Sequence, residues 1–182
     1  IKYLVPVGTP IDNTSILELI SAFADTCVSL DAYDKDTLIT KGITKKSVAL
    51  TAKQMETALV DFKILLIKKR EATELFGTER ERGSIAGIIG NVMQSFGGKA
   101  LYPTIEEKAA HLLYFMVKNH PFVDGNKRSG AYAFIWFLKK AGILDTSKIT
   151  PPALTALTLF VAESDSKHKD RMTRLILQLL KK

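Results

Sequence analysis

Residues 120–128 read His-Pro-Phe-Val-Asp-Gly-Asn-Lys-Arg, and they separate two segments of helical character. A histidine, a carboxylate, a Gly-Asn pair and two cations thus fall within nine positions. The apolar periodicity of the next segment, Ser129–Ala141, predicts a helix. Because the first N–H groups of a helix lack partners and its N-terminus is partially positive, a helix start favours anions. This combination predicts a site that handles the phosphates of a nucleotide.

The composition bounds the class of protein. The chain has 182 residues and is 46% hydrophobic, which is enough for one substantial core. No apolar run reaches the length of a membrane span, and the start does not resemble a signal peptide. The single cysteine, Cys27, excludes a disulfide within one chain. We therefore expect a cytoplasmic protein that does not bind membranes.

The net charge of +7 is compatible with nucleotides, nucleic acid or an acidic protein as partners. The basic residues are interspersed with acids, as in residues 68–82, which is typical of solvated helix faces. No stripe of alternating aromatic and basic residues marks a surface for single-stranded nucleic acid.

Helix start signals recur along the chain. Thr51 and Thr104 each precede a Gln or Glu by three residues, as in a capping box, and Thr150 precedes two prolines. Gly97-Gly98 interrupts the helical pattern, and Lys99–Tyr102 is extended in character. The predicted helices are Ile16–Ala32, 51 to about 73, Ser84–Phe96, His111–Asn119, Ser129–Ala141, one starting at Thr150, and about Lys167–Lys182. The sequence predicts an all-α domain with at most one small β-hairpin.

The first half of the nine-residue stretch offers a base, an anchor and a ligand. His120 is a candidate general base, because histidine exchanges protons near neutral pH. Phe122 is a candidate anchor that buries its ring in the core. Asp124 is either a ligand of Mg²⁺, which commonly takes one or two carboxylates plus substrate phosphates, or the N-cap of the next helix, and the two roles are compatible. His111 and His168 lack such neighbours and are interpreted as structural or surface residues.

The second half offers groups for phosphate. Gly125 lets a ligand approach the backbone closely. Asn126 tolerates unusual backbone angles and can donate through its amide. Arg128 carries a fork of donors suited to phosphate oxygens, whereas Lys127 either reaches the same phosphates or points to solvent. Together with the helix N-terminus, these residues predict an anion hole.

The stretch resembles the signature of the Fic/Doc (Fido) family, H-P-F-x-[D/E]-G-N-[G/K]-R, and meets every fixed position. The resemblance implies a helical bundle with a short β-hairpin, the flap, beside the active site. It implies that His120 deprotonates a hydroxyl of a target protein and that Asp124 binds Mg²⁺. It also implies that Gly125, Asn126 and Arg128 hold the phosphates of ATP.

Two further roles follow from the same resemblance. Phe122 would anchor the loop in the core. The flap would lie at residues 97–102 and align an extended target segment by strand addition. Its residues are Gly97, Gly98, Lys99, Ala100, Leu101 and Tyr102.

Two positions differ from the AMP-transferring members of the family. Those members usually have glycine in place of Lys127 and a second arginine in place of Ala131. Lys127 without the second arginine is more similar to Doc-type members, for which the resemblance implies transfer of the γ-phosphate from a reversed nucleotide. Doc-like phosphorylation is therefore favoured, with AMP transfer or a non-catalytic binding or regulatory module as alternatives. His120 and Asp124 argue against the module, since binding alone requires neither.

A wider resemblance covers Gln94–Gly98, Leu101–Phe115 and Leu159–Asp165, which are similar to the C-terminal half of RhuM-type virulence proteins that carry a Fic domain. It implies a DNA-binding region upstream, and a chain that begins with Ile1 fits a fragment of a longer protein. We expect residues 1–35 to form an N-terminal helical junction and residues 36–182 the Fic/Doc domain.

The inhibitory pattern of the family, [S/T]-x-x-x-E-[G/N], is not cleanly present. Thr14 and Glu18 have the spacing, but Leu19 follows, and Arg82 occupies the glutamate position after Thr78. The resemblance therefore implies an inhibitor that is either a separate antitoxin or an upstream segment.

Overall fold

A computed structural model describes Thr44 and residues 48–180 of the chain. The predicted helix Ile16–Ala32, Cys27 and the boundary between residues 35 and 36 lie outside the described residues.

Helices dominate the described part of the chain. The elements are α1 (Ala52–Lys68), α2 (Ser84–Met93), β1 (Ser95–Phe96), β2 (Lys99–Ala100), α3 (Ile105–Lys118), α4 (Asn126–Lys140), α5 (Pro151–Glu163), the 3₁₀ helix Ser166–His168 and α6 (Lys169–Leu180). The prediction of an all-α domain with one small hairpin is confirmed. Among these helices, none is long and apolar enough to cross a membrane.

Helix α3 is the centre of the core. It packs against α2, α4, α5 and α6, and every residue from Leu112 to Val117 is buried. This segment is apolar on all sides, as expected of helical turns that are surrounded by other helices. Helix α1 packs against α2 and α4 on one side of the molecule. The nine-residue stretch follows α3 and ends in the first turn of α4, and the packed pair of helices fixes both of its ends.

The helix starts follow the local signals in the sequence. Thr51 and Thr104 accept hydrogen bonds from the N–H groups of Gln54 and Glu107, each at 3.2 Å, and both capping boxes are complete. Thr150 caps α5, whose first turn holds the two prolines. These start signals are confirmed because capping depends on residues within one turn.

Two helix ends were predicted too late. Helix α1 ends at Lys68 instead of about residue 73, because Arg70 adopts a left-handed φ of 58° and Glu71 N–H bonds to the carbonyl of Leu66 at 2.8 Å. Helix α2 ends at Met93 instead of Phe96, because the hairpin takes up the next residues.

Three predicted helix starts need correction. Helix α4 begins at Asn126, three residues before the predicted Ser129. Helix α3 begins at Ile105, directly after its capping residue, rather than at His111. A short 3₁₀ helix precedes α6, which begins at Lys169 rather than Lys167.

The hairpin begins and ends two residues earlier than the predicted flap. Ser95 pairs with Ala100, and Phe96 pairs with Lys99. Gly97 and Gly98 form the two-residue turn with φ values of 56° and 78°, the conformation that glycine adopts without strain and that matches strand twist. The hairpin therefore spans residues 95–100, and Leu101 and Tyr102 follow its second strand.

Candidate active site

His120 lies just beyond the end of α3, in a strained backbone conformation. Its φ is 47°, a left-handed value that non-glycine residues rarely adopt, and its side chain is exposed. Such a conformation costs about 1–3 kcal/mol and persists only where the surroundings enforce it. The candidate general base is therefore held in place by its neighbours rather than by its own backbone preference.

The conformation of the loop is held by an upstream segment, residues 76–80, which we call the strap. It pairs with residues 122–124 through a parallel bridge between Phe76 and Asp124 and an antiparallel bridge between Glu79 and Phe122. Four hydrogen bonds join strap and loop: Gly77 N–H to Asp124 O (3.0 Å), Val123 N–H to Thr78 O (2.8 Å), Arg80 N–H to Pro121 O (2.9 Å) and Arg80 Nε to Phe122 O (2.9 Å). Sequence reasoning missed the strap and treated Arg80 only as one of several basic residues.

Phe122 and Asn126 are joined by two hydrogen bonds within the loop. Phe122 is 2% exposed and belongs to the main core. Its N–H donates to Asn126 Oδ1 at 2.8 Å, and Asn126 Nδ2 donates to the Phe122 carbonyl at 2.9 Å. The amide of Asn126 is thus occupied by the loop backbone. Any contribution of this residue to anion binding comes from its backbone N–H.

The start of α4 is open. Gly125 is its N-cap with a φ of 84°, and no side chain caps it. The first hydrogen bond of the helix runs from Ser129 N–H to Gly125 O at 2.8 Å. Within the described residues, the N–H groups of Asn126, Lys127 and Arg128 have no hydrogen-bond partner. The suggested N-cap role of Asp124 is therefore wrong, because Gly125 occupies that position.

Asp124 presents an exposed carboxylate directly before this helix start. In the described part of the chain, no group of three or more His, Cys, Asp or Glu side chains could hold a metal ion. An ion at Asp124 would therefore need ligands from a bound molecule. Mg²⁺ is commonly held in this way, by one carboxylate and substrate phosphates, so the donor set fits a magnesium–nucleotide complex.

Arg128 lies against the end of α1. Its Nη1 donates to the Glu71 carbonyl at 2.8 Å, and its guanidinium carbon is 4.6 Å from the centroid of the Phe76 ring. The Phe76 ring also contacts Phe62 edge-on at 5.6 Å. The cation therefore sits beside the helix start, held by a backbone carbonyl and an aromatic face.

The model of the Fic/DOC family matches residues 54–138, which include the strap, the hairpin, the loop and most of α4. Residues 54–138 therefore carry a Fic/Doc family domain. The curated protein "Toxin Doc" of Mycolicibacterium smegmatis is 38% identical over 72 residues, which are 37% of this chain and 55% of that protein. The chain thus spans about half the length of this relative. No solved structure matches the chain significantly.

Two positions of this Fic/Doc domain distinguish it from the AMP-transferring pattern described above. Ala131 is 0% exposed and packs in the core between α3 and α4, so the position of the second arginine is filled by a methyl group. Lys127, where that pattern has glycine, is partly exposed in the first turn of α4. The cations beside the helix start are therefore Lys127 and Arg128.

The hairpin of the Fic/Doc domain stands apart from the loop. In the described part of the chain, no hydrogen bond joins residues 95–102 to residues 120–128. Phe96 is 69% exposed, as expected of a surface that meets another molecule or solvent. Tyr102 packs back on α3, with its ring centroid 3.6 Å from that of His111. The structure thus brings the loop residues together and leaves the hairpin tip free.

His111 has a structural environment. Its Nδ1–H donates to the Glu107 carbonyl at 2.8 Å, and its ring lies between Tyr102 and Phe115. The pKa of His111 is lowered from 6.5 to about 4, chiefly by burial and to a lesser extent by nearby Lys169, while the Glu107 carbonyl and Asp170 act in the opposite direction. The side chain is therefore neutral at physiological pH and serves packing.

Proposed function

We propose that this Fic/Doc domain transfers a phosphate-containing group from ATP to a hydroxyl of a target protein, and that the group is the γ-phosphate. The observation that carries the proposal is the joint placement of an exposed histidine and an exposed carboxylate on a loop that ends at an uncapped helix N-terminus. A helix start of this kind binds phosphate through its N–H groups and dipole. His120, six residues before the start of α4, supplies the base that such a transfer requires.

The phosphates would meet the backbone N–H groups of residues 126–128, with Lys127 and Arg128 as flanking cations. Asp124 together with phosphate oxygens would hold Mg²⁺, which neutralises charge on the phosphates when bound. His120 takes the proton of the target hydroxyl. The hydroxyl oxygen forms a bond to the γ-phosphorus while the bond from that phosphorus to the β–γ bridging oxygen breaks, and ADP leaves with the electron pair.

The first turn of α4 favours phosphate over AMP as the group transferred. Lys127 replaces the glycine that permits close approach of the phosphates in AMP-transferring members, and the buried Ala131 supplies no second guanidinium for a γ-phosphate. Doc-type members, to which Lys127 and Ala131 make this chain more similar, carry the same implication. AMP transfer would instead form the bond at the α-phosphorus and release pyrophosphate.

The test uses ATP labelled at the α-phosphorus or, separately, at the γ-phosphorus, with Mg²⁺, bacterial lysate and the full chain. We expect protein-bound label from γ only, abolished by His120→Ala. His168→Ala, the same substitution in the 3₁₀ helix away from the loop, should leave labelling unchanged. Incorporation of the α-label would show that the transferred group is AMP and not the γ-phosphate. If neither the wild type nor His120→Ala incorporates the α-label or the γ-label, the domain is a non-catalytic module.

Lys127 provides a second arm of the test. If its side chain sets the orientation of the nucleotide, Lys127→Gly should shift incorporation from γ-label towards α-label. Lys139→Gly, in the last turn of the same helix, is the matched control for the lost charge and helix propensity. An unchanged product in Lys127→Gly would remove this residue from the choice between the two groups.

A further inference from the structure

The loop that carries His120 includes a residue, Pro121, that cannot donate a backbone hydrogen bond. Pro121 has no N–H to donate, so its own backbone can be held by a hydrogen bond only through its carbonyl group. The preceding residue, His120, has the strained φ of 47°. Asn126 pairs with the N–H and the carbonyl of Phe122, whereas among the described residues the hydrogen bond to the Pro121 carbonyl comes from outside the loop. These two carbonyls belong to the peptide units after Pro121 and Phe122, so the groups that hold them also hold the backbone next to His120.

Arg80 meets both of these carbonyls. Its backbone N–H donates to Pro121 O at 2.9 Å, and its side-chain Nε donates to Phe122 O at 2.9 Å. The Phe122 carbonyl also accepts from Asn126 Nδ2 at 2.9 Å, so two donors fix its plane from different directions. Arg80 is the strap residue that supplies both a backbone and a side-chain donor to the loop. It does so across 42 positions of sequence.

We propose that Arg80 is a positioning residue of the active site: its guanidinium holds the Phe122 carbonyl and thereby keeps His120 in the orientation that accepts a proton. The inference rests on the proposed function, because it assigns the residue a part in that transfer. The competing explanation is that the charge of Arg80 binds the nucleotide directly. The two explanations predict different results for Arg80→Lys. Lysine keeps the charge that would bind a nucleotide, but it lacks the Nε–H that donates to the Phe122 carbonyl.

The experiment compares Arg80→Gln, Arg80→Lys and Arg82→Gln in the full chain. Arg82 lies in the same exposed segment, carries the same charge, and makes no hydrogen bond to the loop among the described residues. We expect both Arg80 variants to lose about tenfold or more in kcat with KM for ATP within about twofold, because displacing a catalytic group lowers the rate without weakening binding. Arg82→Gln should behave as wild type.

Full activity in Arg80→Lys, or a rise in KM with unchanged kcat, would overturn the proposal in favour of a direct charge effect. Should Arg80→Gln fail to fold, Arg80→Lys carries the same comparison. Equal loss in Arg82→Gln would also overturn it.

A readout that does not need activity separates this inference from the proposed function. In NMR spectra, the His120 ring protons and the Val123 amide should shift in both Arg80 variants and stay in place in Arg82→Gln. If the wild type transfers no label while these shifts occur, the proposed function fails and the positioning contact stands. If the His120 signals of the Arg80 variants match wild type, the positioning inference fails whatever the activity.

Discussion

At the scale of single residues, Gly125 is under two independent constraints. Its φ of 84° is strained for any residue with a side chain, and a Cβ at this position would lie 2.3 Å from Cδ2 and Cε2 of Phe76. Phe76 is itself buried against Phe62 and under Arg128, so it has no room to retreat. The backbone of the helix start thus lies directly on an aromatic ring.

Gly125→Ala should therefore lower both stability and transfer activity. Gly98→Ala is the matched control, because Gly98 has a similar φ of 78° but open space around its Cβ position. We expect the loss in free energy of unfolding for Gly125→Ala to exceed that for Gly98→Ala by about 1–3 kcal/mol, the usual cost of overpacking. Urea denaturation measures both. Equal losses would show that the ring does not limit this position.

At the scale of elements, α3 and α4 approach closely at Gly130. A Cβ there would lie 3.0 Å from Val117 Cγ2 and 3.2 Å from Met116 Cβ. The first atom belongs to a β-branched side chain with a stiff χ1, and the second is fixed to the α3 backbone. Neither can move far, so the distance between the two helices is set by the absence of a side chain. Both ends of the active-site loop depend on this distance.

Gly130→Ala should destabilise the domain by about 1–2 kcal/mol, because overpacking outweighs the gain of about 1 kcal/mol in helix propensity. Gly90→Ala on the exposed side of α2, where a Cβ meets no atom within 4 Å, should instead be stabilising by about 0.5–1 kcal/mol. Thermal unfolding distinguishes the two signs. Adding Val117→Ala to Gly130→Ala should recover part of the loss. A stabilising Gly130→Ala would contradict close packing.

At the scale of the whole molecule, the core extends beyond the segment that matches the family. The match ends at residue 138, yet Leu157 and Val161 of α5 and Met172 and Ile176 of α6 belong to the same buried cluster as α3. These helices cover faces of α3 that would otherwise meet water. His111 on α3 lies in this covered region, which is why burial lowers its pKa to about 4.

The stability of the whole domain should therefore depend on pH through His111. The unfolded chain takes up a proton near pH 6.5, whereas the folded chain does so only near pH 4. Protons thus favour the unfolded state, so the free energy of unfolding falls as pH decreases from about 6.5 to 4, by at most about 3 kcal/mol. His111→Phe keeps a ring against Tyr102 and should flatten this part of the profile in urea denaturation. An identical profile in both proteins would refute the assignment.

The sequence predicted what depends on neighbouring residues. The capping boxes at Thr51 and Thr104 and the proline start of α5 were predicted because each signal acts within one turn. The break in the helical pattern at Gly97-Gly98 was predicted for the same reason, although Ser95 and Phe96, the first strand of the hairpin, were assigned to the preceding helix. The burial of Phe122 was predicted from its apolar side chain, whereas the roles of the other residues from His120 to Arg128 stay predictions.

The sequence did not predict what depends on distant backbone. The early end of α1 follows from the left-handed Arg70 and from the fold of the segment after it. The strap could not be inferred, because its pairing joins residues about 40 positions apart and uses mostly main-chain groups that every residue carries. The N-cap role of Asp124 failed because Phe76, far away in sequence, requires a glycine at the next position.

The strap changes how related sequences should be read. We expect a chain that keeps all nine letters of the signature but has an altered counterpart of residues 76–80 to lack this loop geometry. Grafting the nine residues onto another pair of helices should likewise reproduce the letters without the geometry. Searches for degenerate members of the family should therefore score the strap together with the signature. A sequence change at the position of Gly77 or Arg80 should be treated in the same way as a change at the position of His120.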